Sequence, residues 1–156
     1  MQYVIFKIAQ DEFGVPVEQV REVVSTPGIN PLPQAPAFIE GICRLRNHSI
    51  AVINMRTRFN LPQKADTGNS NILVVRLNGM VVGLEVDRVV DIIDVSEKQI
   101  DNASTIVGSF LDGKTVTGVA HVDKRDIVIL DLTRVLDVNE LNNLNGFKTK
   151  NQKTKD

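Results

Sequence analysis

The sequence predicts an all-β chain made of two small barrels related by internal duplication. Three observations carry this. Apolar residues fill 42% of the 156 positions, with Val and Ile dominating the apolar runs, and β-branched side chains suit a pleated surface. Those runs alternate with period two between turn residues. The chain also repeats. An offset of 69 residues lays Phe13-Gly14-Val15 on Val82-Gly83-Leu84, and Glu22-Val23-Val24 on Asp91-Ile92-Ile93, with no gap. An offset of 77 lays Ile39-Glu40-Gly41-Ile42 on Val116-Thr117-Gly118-Val119, and Ile50-Ala51-Val52-Ile53 on Ile127-Val128-Ile129-Leu130. The second copy thus carries 8 extra residues between Ile93 and Val116.

Taken in order, Val4, Phe6 and Ile8 alternate as a strand. A turn is expected at Gln10-Asp11-Glu12, then a second strand over Phe13 to Val17. Pro16 makes that strand an edge or ends it, because proline donates no ladder hydrogen bond. Glu18 to Arg21 predicts one helical turn, and Glu22 to Val24 a return to strand. Pro31, Pro33 and Pro36 set an extended connector. Ala35 to Phe59 then organises the copy: an apolar anchor at Phe38 and Ile39, a strand carrying Arg44 and Arg46, a polar turn at Asn47 to Ser49, the apolar run Ile50 to Ile53, and a short helix. Pro62 to Asn71 is polar and predicts a surface loop. Ile72 to Leu77 and Met80 to Val86 form a hairpin about Asn78-Gly79, a strong short-range hairpin signal. Val89 to Ile93 is a strand, and Ser96 caps a helical start reaching Ile100. Thr115 to Val122 and Ile127 to Leu132 make the last hairpin, and a C-terminal helix is expected over Thr133 to Leu144.

One domain, 1–145, is expected, divided roughly into 14–79 and 1–13 plus 80–140. The tail 146–156, with Lys148, Lys150, Lys153 and Lys155, has little to bury and is expected to be disordered. Each copy is too small to bury much surface alone, so the two should share an apolar interface. The groove between them is the natural binding site. A strand exchanged between barrels fits the same repeat, so repeat limits need not be barrel limits.

Composition narrows function. The net charge of −1 lacks the basic excess of a nucleic-acid footprint. Cys43 is the single cysteine, which fits a reducing compartment. Met1 to Ile8 has no basic signal-peptide start, and no segment reaches the ~18 apolar residues a membrane span needs. A cytoplasmic protein is expected. No nucleophile elbow, phosphate loop, carboxylate pair or four-ligand metal spacing is present, so neither catalysis, nor a metal, nor a cofactor is expected. Cys43 reads as a small core residue. The arginines Arg44, Arg46, Arg56 and Arg58 read either as a solvated face or as a partner contact, since Arg is enriched at interface hot spots.

The chain resembles the CheW-like family of bacterial chemotaxis coupling proteins over about Gln2 to Leu136. The resemblance rests on Phe13-Gly14-Val15-Pro16-Val17 continuing to Val20 and Glu22, on Leu32-Pro33 through Phe38-Ile39 and Gly41, on the Leu45-Arg46 turn with the run Ala51 to Arg56, and on Val82-Gly83-Leu84 with Val86-Asp87. It implies two SH3-like five-stranded barrels and a non-catalytic adaptor, monomeric in isolation. The implied partners are the cytoplasmic tip of chemoreceptors and the regulatory domain of the histidine kinase CheA, in membrane-associated receptor arrays. By position, Val20, Glu22, Arg46, Val86 and Val89 would bind the receptor in the inter-barrel groove, and Gly41, Ile42 and Asn47 the kinase. Asn47 stands where the family has Gly, and Asn54 where Asp is usual. Rival readings are a same-fold adaptor of another pathway, such as type IV pilus motility, and a small-molecule binder.

Overall fold

Twelve strands pair into two six-stranded sheets in the computed structural model, which describes residues 1–25, 28–62, 70–77, 79–102 and 115–134. In chain order they are β1 (Gln2–Ile8), β2 (Asp11–Pro16), β3 (Val20–Ser25), β4 (Ile29–Asn30), β5 (Ile39–Leu45) and β6 (His48–Asn54), then the one-turn helix α1 (Met55–Arg58). The second copy supplies β7 (Asn71–Leu77), β8 (Met80–Val86), β9 (Arg88–Asp94), β10 (Ile100–Asn102), β11 (Val116–Val122) and β12 (Arg125–Leu130). Single 3-10 turns span Val17–Gln19, Glu97–Gln99 and Leu132–Arg134.

The strand order shows a reciprocal exchange. The first subdomain runs β4-β5-β6-β8-β7-β3 and the second β10-β11-β12-β2-β1-β9. Each copy keeps its last four strands and gives its leading hairpin to the other subdomain. The junctions are parallel pairs, Val52 opposite Gly83 in one and Ile129 opposite Gly14 in the other. These are the same pair under the 69- and 77-residue offsets.

This corrects the expected division. β2 pairs with β1 and β12, so residues 14–16 belong with the second subdomain, and β8 pairs with β7 and β6, so residues 80–86 belong with the first. A hairpin travels as a unit, because its two strands share one ladder of backbone hydrogen bonds. The sheets have six strands rather than five because the short β4 and β10 add to an edge of each. They fit there because Gly41 and Gly118 have no side chain. A Cβ on Gly41 would collide with the Asn30 carbonyl, and one on Gly118 with that of Asp101.

The exchange explains why β1 and β7 are buried on both faces, since successive side chains point to opposite sides. Tyr3 and Ile5 pack with Ala120, Ile127 and Ile129 inside the second subdomain. Val4, Phe6 and Ile8 face the central core. In β7, Ile72 and Val74 join Cys43, Ile50 and Val52 inside the first subdomain, while Leu73, Val75 and Leu77 face the same centre. Phe6, Phe13 and Phe59 stack across this centre with ring centroids 6.0 and 5.6 Å apart. As expected, Cys43 is a core residue, and burial pushes its thiol pKa up.

Several boundaries move. The first turn is Ala9-Gln10, with Ala9 at φ 56°, and Asp11 and Glu12 already lie in strand. The helical turn ends at Gln19, so Val20 and Arg21 extend β3. Pro16 ends β2, as one of the two expected roles requires. The Ser96 start is a single 3-10 turn closed by a reciprocal capping box with Gln99. The start of the expected C-terminal helix, Thr133 and Arg134, lies in the 3-10 turn Leu132–Arg134, and its remainder falls outside the described residues, as do the lysine tail and residues 63–69 of the polar loop.

Candidate functional site

The hairpin β5–β6 turns tightly, and the turn is Arg46-Asn47 rather than Asn47 to Ser49. Both residues have positive φ, 47° and 70°. His48 and Ser49 are paired in β6, opposite Leu45 and Arg44. A two-residue loop with both φ positive matches the right-handed twist of its strands. Asn tolerates that region, whereas Arg sits there under strain. Arg46 is therefore lifted out of the strand face it was expected to share with Arg44. Its Nη2 donates to Oε2 of Glu22 on β3, with the Arg46 side chain 75% exposed and that of Glu22 23%.

Glu22 reaches the tip because β3 carries a bulge between Val20 and Glu22. Before the bulge Val20 stands opposite Val75 and packs on the central core. After it, Glu22 stands opposite Val74, on the face that closes the first subdomain. One extra residue thus turns an apolar side chain toward the seam and an acid toward the subdomain mouth. The mouth is a groove of about 730 Å³. Ile50, Val74 and Val81 line it with apolar surface, and Arg21, Glu22, Arg46 and His48 ring it with polar groups. Oε1 of Glu22 is buried there without a hydrogen-bond partner among the described residues.

The second copy builds the same place differently. Arg125 donates from Nε and Nη2 to Glu12 at 2.9 and 3.2 Å. It also donates from Nη1 and Nη2 to Asp91, both at 3.2 Å. Hydrogen bonds to Glu12 and then Asp91 raise the guanidinium pKa further. Arg125 carried no signal in the sequence until the repeat was laid over the strands.

The receptor residues expected to act together divide into two groups. Glu22 and Arg46 meet at the mouth. Val86 is buried in the central core, and Val20 and Val89 pack at its margin. The Val89 amide donates to Asn71 Oδ1 at 2.7 Å. The expected kinase residues divide too. Gly41 and half-buried Ile42 lie in β5, with Ile42 opposite Asn30 of β4. Asn47 is exposed beside Arg46 at the far end of the hairpin, five residues or roughly 16 Å along the strand.

A second ion pair was not foreseen. Arg56 of α1 binds Asp87, Nε to Oδ1 at 2.9 Å and Nη2 to Oδ2 at 2.5 Å, with both side chains 17% exposed. Asp87 Oδ2 also accepts the Ala9 amide at 2.9 Å. The pair raises the Arg56 pKa, first through the Asp87 hydrogen bond. It therefore does not depend on a carboxylate at Asn54. Asn54 instead caps α1, its Oδ1 accepting from the Thr57 amide, while its Nδ2 donates to Glu40. Among the described residues no group of three or more His, Cys, Asp or Glu side chains is arranged to hold a metal, and no helix is long and apolar enough to cross a membrane.

Comparison with known proteins follows this geometry. The family model described as the CheW-like domain matches residues 2–140. The chain is 25% identical over 147 residues to Chemotaxis protein CheW of Treponema pallidum, covering 92% of this chain and 86% of that one. It is 29% identical over 139 residues to Chemotaxis protein CheW of Rhizobium meliloti, covering 89% of each. Among solved structures, the scaffolding protein TtCheW from Thermoanaerobacter tengcongensis superposes with a TM-score of 0.80 at 32% identity, covering 89% of this chain and 94% of that one. With two exchanged subdomains, a match across nearly all its length and a solved relative of the same fold, this chain belongs to the CheW-like family.

Proposed function

We propose that this chain is a non-catalytic adaptor of bacterial chemotaxis that holds a chemoreceptor tip and the regulatory domain of the kinase CheA together. It acts in the cytoplasm, recruited to membrane-associated receptor arrays. The observation that carries the reading is the exposed Arg46 bound to Glu22 at the rim of an apolar mouth. A partly desolvated charged group beside aliphatic surface is the composition of an interface hot spot. Val20 and Val89 at the core margin and Ile42 on β5, beside the buried Gly41, offer further surface, and Asn47 extends the tip. Binding two partners at once raises their effective concentration and fixes their geometry. Kinase output then follows whichever receptor state the assembly favours.

The test is calorimetric titration of the full chain with a receptor-tip fragment and with the CheA regulatory domain of the same organism. Binding of both at micromolar strength or tighter is expected. Arg46→Ala should weaken receptor binding about tenfold with the protein still cooperatively folded, because the ion pair it removes is largely solvent-exposed and contributes at most about 1 kcal/mol. Unchanged binding would remove Arg46 from the interface, and absence of both interactions would remove the adaptor reading.

A further inference from the structure

The molecule carries an internal template for what its open mouth lacks. Under the repeat, Asp91 corresponds to Glu22, Glu12 to Val81, and Arg125 to His48. In the second subdomain these residues close on themselves. One guanidinium is shared by two carboxylates, and both oxygens of Asp91 receive an N–H. In the first subdomain the acid remains, but the guanidinium and the second acid are replaced by His48 and Val81. Glu22 takes one N–H from Arg46, and its other oxygen is buried without a donor among the described residues. A buried acceptor left unsatisfied is destabilising, so a partner that supplies a donor there gains affinity.

We infer that the mouth of the first subdomain is a subsite for a side-chain amide, Asn or Gln, carried by the partner on an otherwise aliphatic segment. Charge selects the amide over a second cation. The Glu22 carboxylate already faces Arg46, and Arg21 lines the same rim, so a further ammonium or guanidinium would meet like charge. An amide is neutral and two-sided. Rotation of the Glu22 carboxylate turns Oε1 into the groove, where the amide NH2 donates to it, and the amide C=O accepts from one of the remaining Arg46 N–H groups. Ile50, Val74 and Val81 give the flanking aliphatic groups a dry wall. The inference rests on the adaptor reading for the identity of the partner, but not for the chemistry of the subsite.

The decisive variant grafts the closed mouth onto the open one: His48→Arg with Val81→Glu. It should raise the thermal midpoint and weaken titration by a receptor-tip fragment about tenfold, leaving binding of the CheA regulatory domain unchanged. In parallel, each Asn and Gln of the fragment is replaced by Ala and titrated against wild type and Glu22→Ala. One position should lose affinity on wild type and lose nothing further on Glu22→Ala, the signature of direct coupling. A folded graft that binds at full strength, or amide positions that all add independently to Glu22→Ala, would overturn the inference. If the graft does not fold, the amide scan decides alone. If wild type binds neither the receptor tip nor the CheA regulatory domain, the adaptor reading fails separately, and if it binds only the latter the receptor is not the amide's carrier. The subsite is then probed with N-acetylglutamine methylamide, reading the carboxyl carbon resonance of Glu22. A shift beyond that given by the leucine analogue sustains the amide subsite, and equal shifts end it.

Discussion

Arg56 and Asp87 show how much one pair can tie together. The carboxylate binds the guanidinium through both oxygens and also takes the Ala9 amide, so it links α1, the β8–β9 junction and the β1–β2 turn. Asp87→Ala leaves Nε and Nη2 of Arg56 and the Ala9 amide without this acceptor in a site only 17% exposed. A loss of about 2 kcal/mol in urea-denaturation stability is expected. His121 offers a readable contrast. It is exposed, with Nδ1 2.6 Å from Asp126 and Nε2 2.7 Å from Asp101. Hydrogen bonding to Asp126, then to Asp101, raises its pKa above the ordinary 6.5. A raised folded-state value means the stabilisation is complete below 6.5 and is lost as pH rises through the folded value. The urea midpoint of wild type should therefore fall across that window relative to His121→Asn. Proton NMR should place the His121 titration above 6.5, moving down in Asp126→Asn.

At the scale of elements, the bulges in β3 and β9 and the two short edge strands set the working geometry. The bulge in β3 lets Val20 serve the seam and Glu22 the mouth. The partner register in β9 shifts likewise between Asp91 and Val89, so the device is inherited by both copies. β4 and β10 lie against Gly41 and Gly118, where any side chain meets backbone. Gly41→Ala should cost about 1–3 kcal/mol as an overpacking change. It should also raise hydrogen exchange in native-state measurements at the one of the adjacent Ile42 and Cys43 amides that points to β4, while the other, which points to β6, keeps its protection. Equal protection in variant and wild type would show that β4 is not held by this contact.

For the whole molecule, exchange makes the two subdomains interdependent. Neither sheet is complete without a hairpin from the other copy, and the central core takes residues from both. A fragment of residues 1–62 holds the entire first copy, yet it lacks β7 and β8. It is expected to show no cooperative thermal transition by circular dichroism. Mixed with residues 70–156 it should regain strand signal and a transition, as complementing fragments do when each supplies the other's missing hairpin. A fragment that folds alone would show that a copy can retain its own hairpin. In the second subdomain Arg125 bridges Glu12 and Asp91, whereas in the first Arg46 pairs with Glu22, so the two copies have diverged at the same place.

What the sequence determined was local or periodic. Alternation in Val4 to Ile8 and in Ile72 to Leu77, the Asn78-Gly79 turn signal, and the glycines matching at 14 with 83 and 41 with 118 are written in neighbouring residues or fixed offsets. They give the strands, the duplication and the all-β class. What only the tertiary structure decided depends on which surfaces meet. Both leading hairpins are apolar on both faces, so the sequence is equally satisfied whether each stays home or crosses over, and the exchange shows in the β1–β9, β2–β12, β3–β7 and β6–β8 pairings. The turn starts one residue earlier than polarity suggests and ends two earlier, at Arg46-Asn47, because strand twist, not polarity, selects the loop. Glu22 with Arg46, Arg56 with Asp87, and Arg125 with Glu12 and Asp91 lie 24, 31, 113 and 34 positions apart. Period and propensity decay within a few residues, whereas an ion pair needs only that folding bring its charges within a few ångströms.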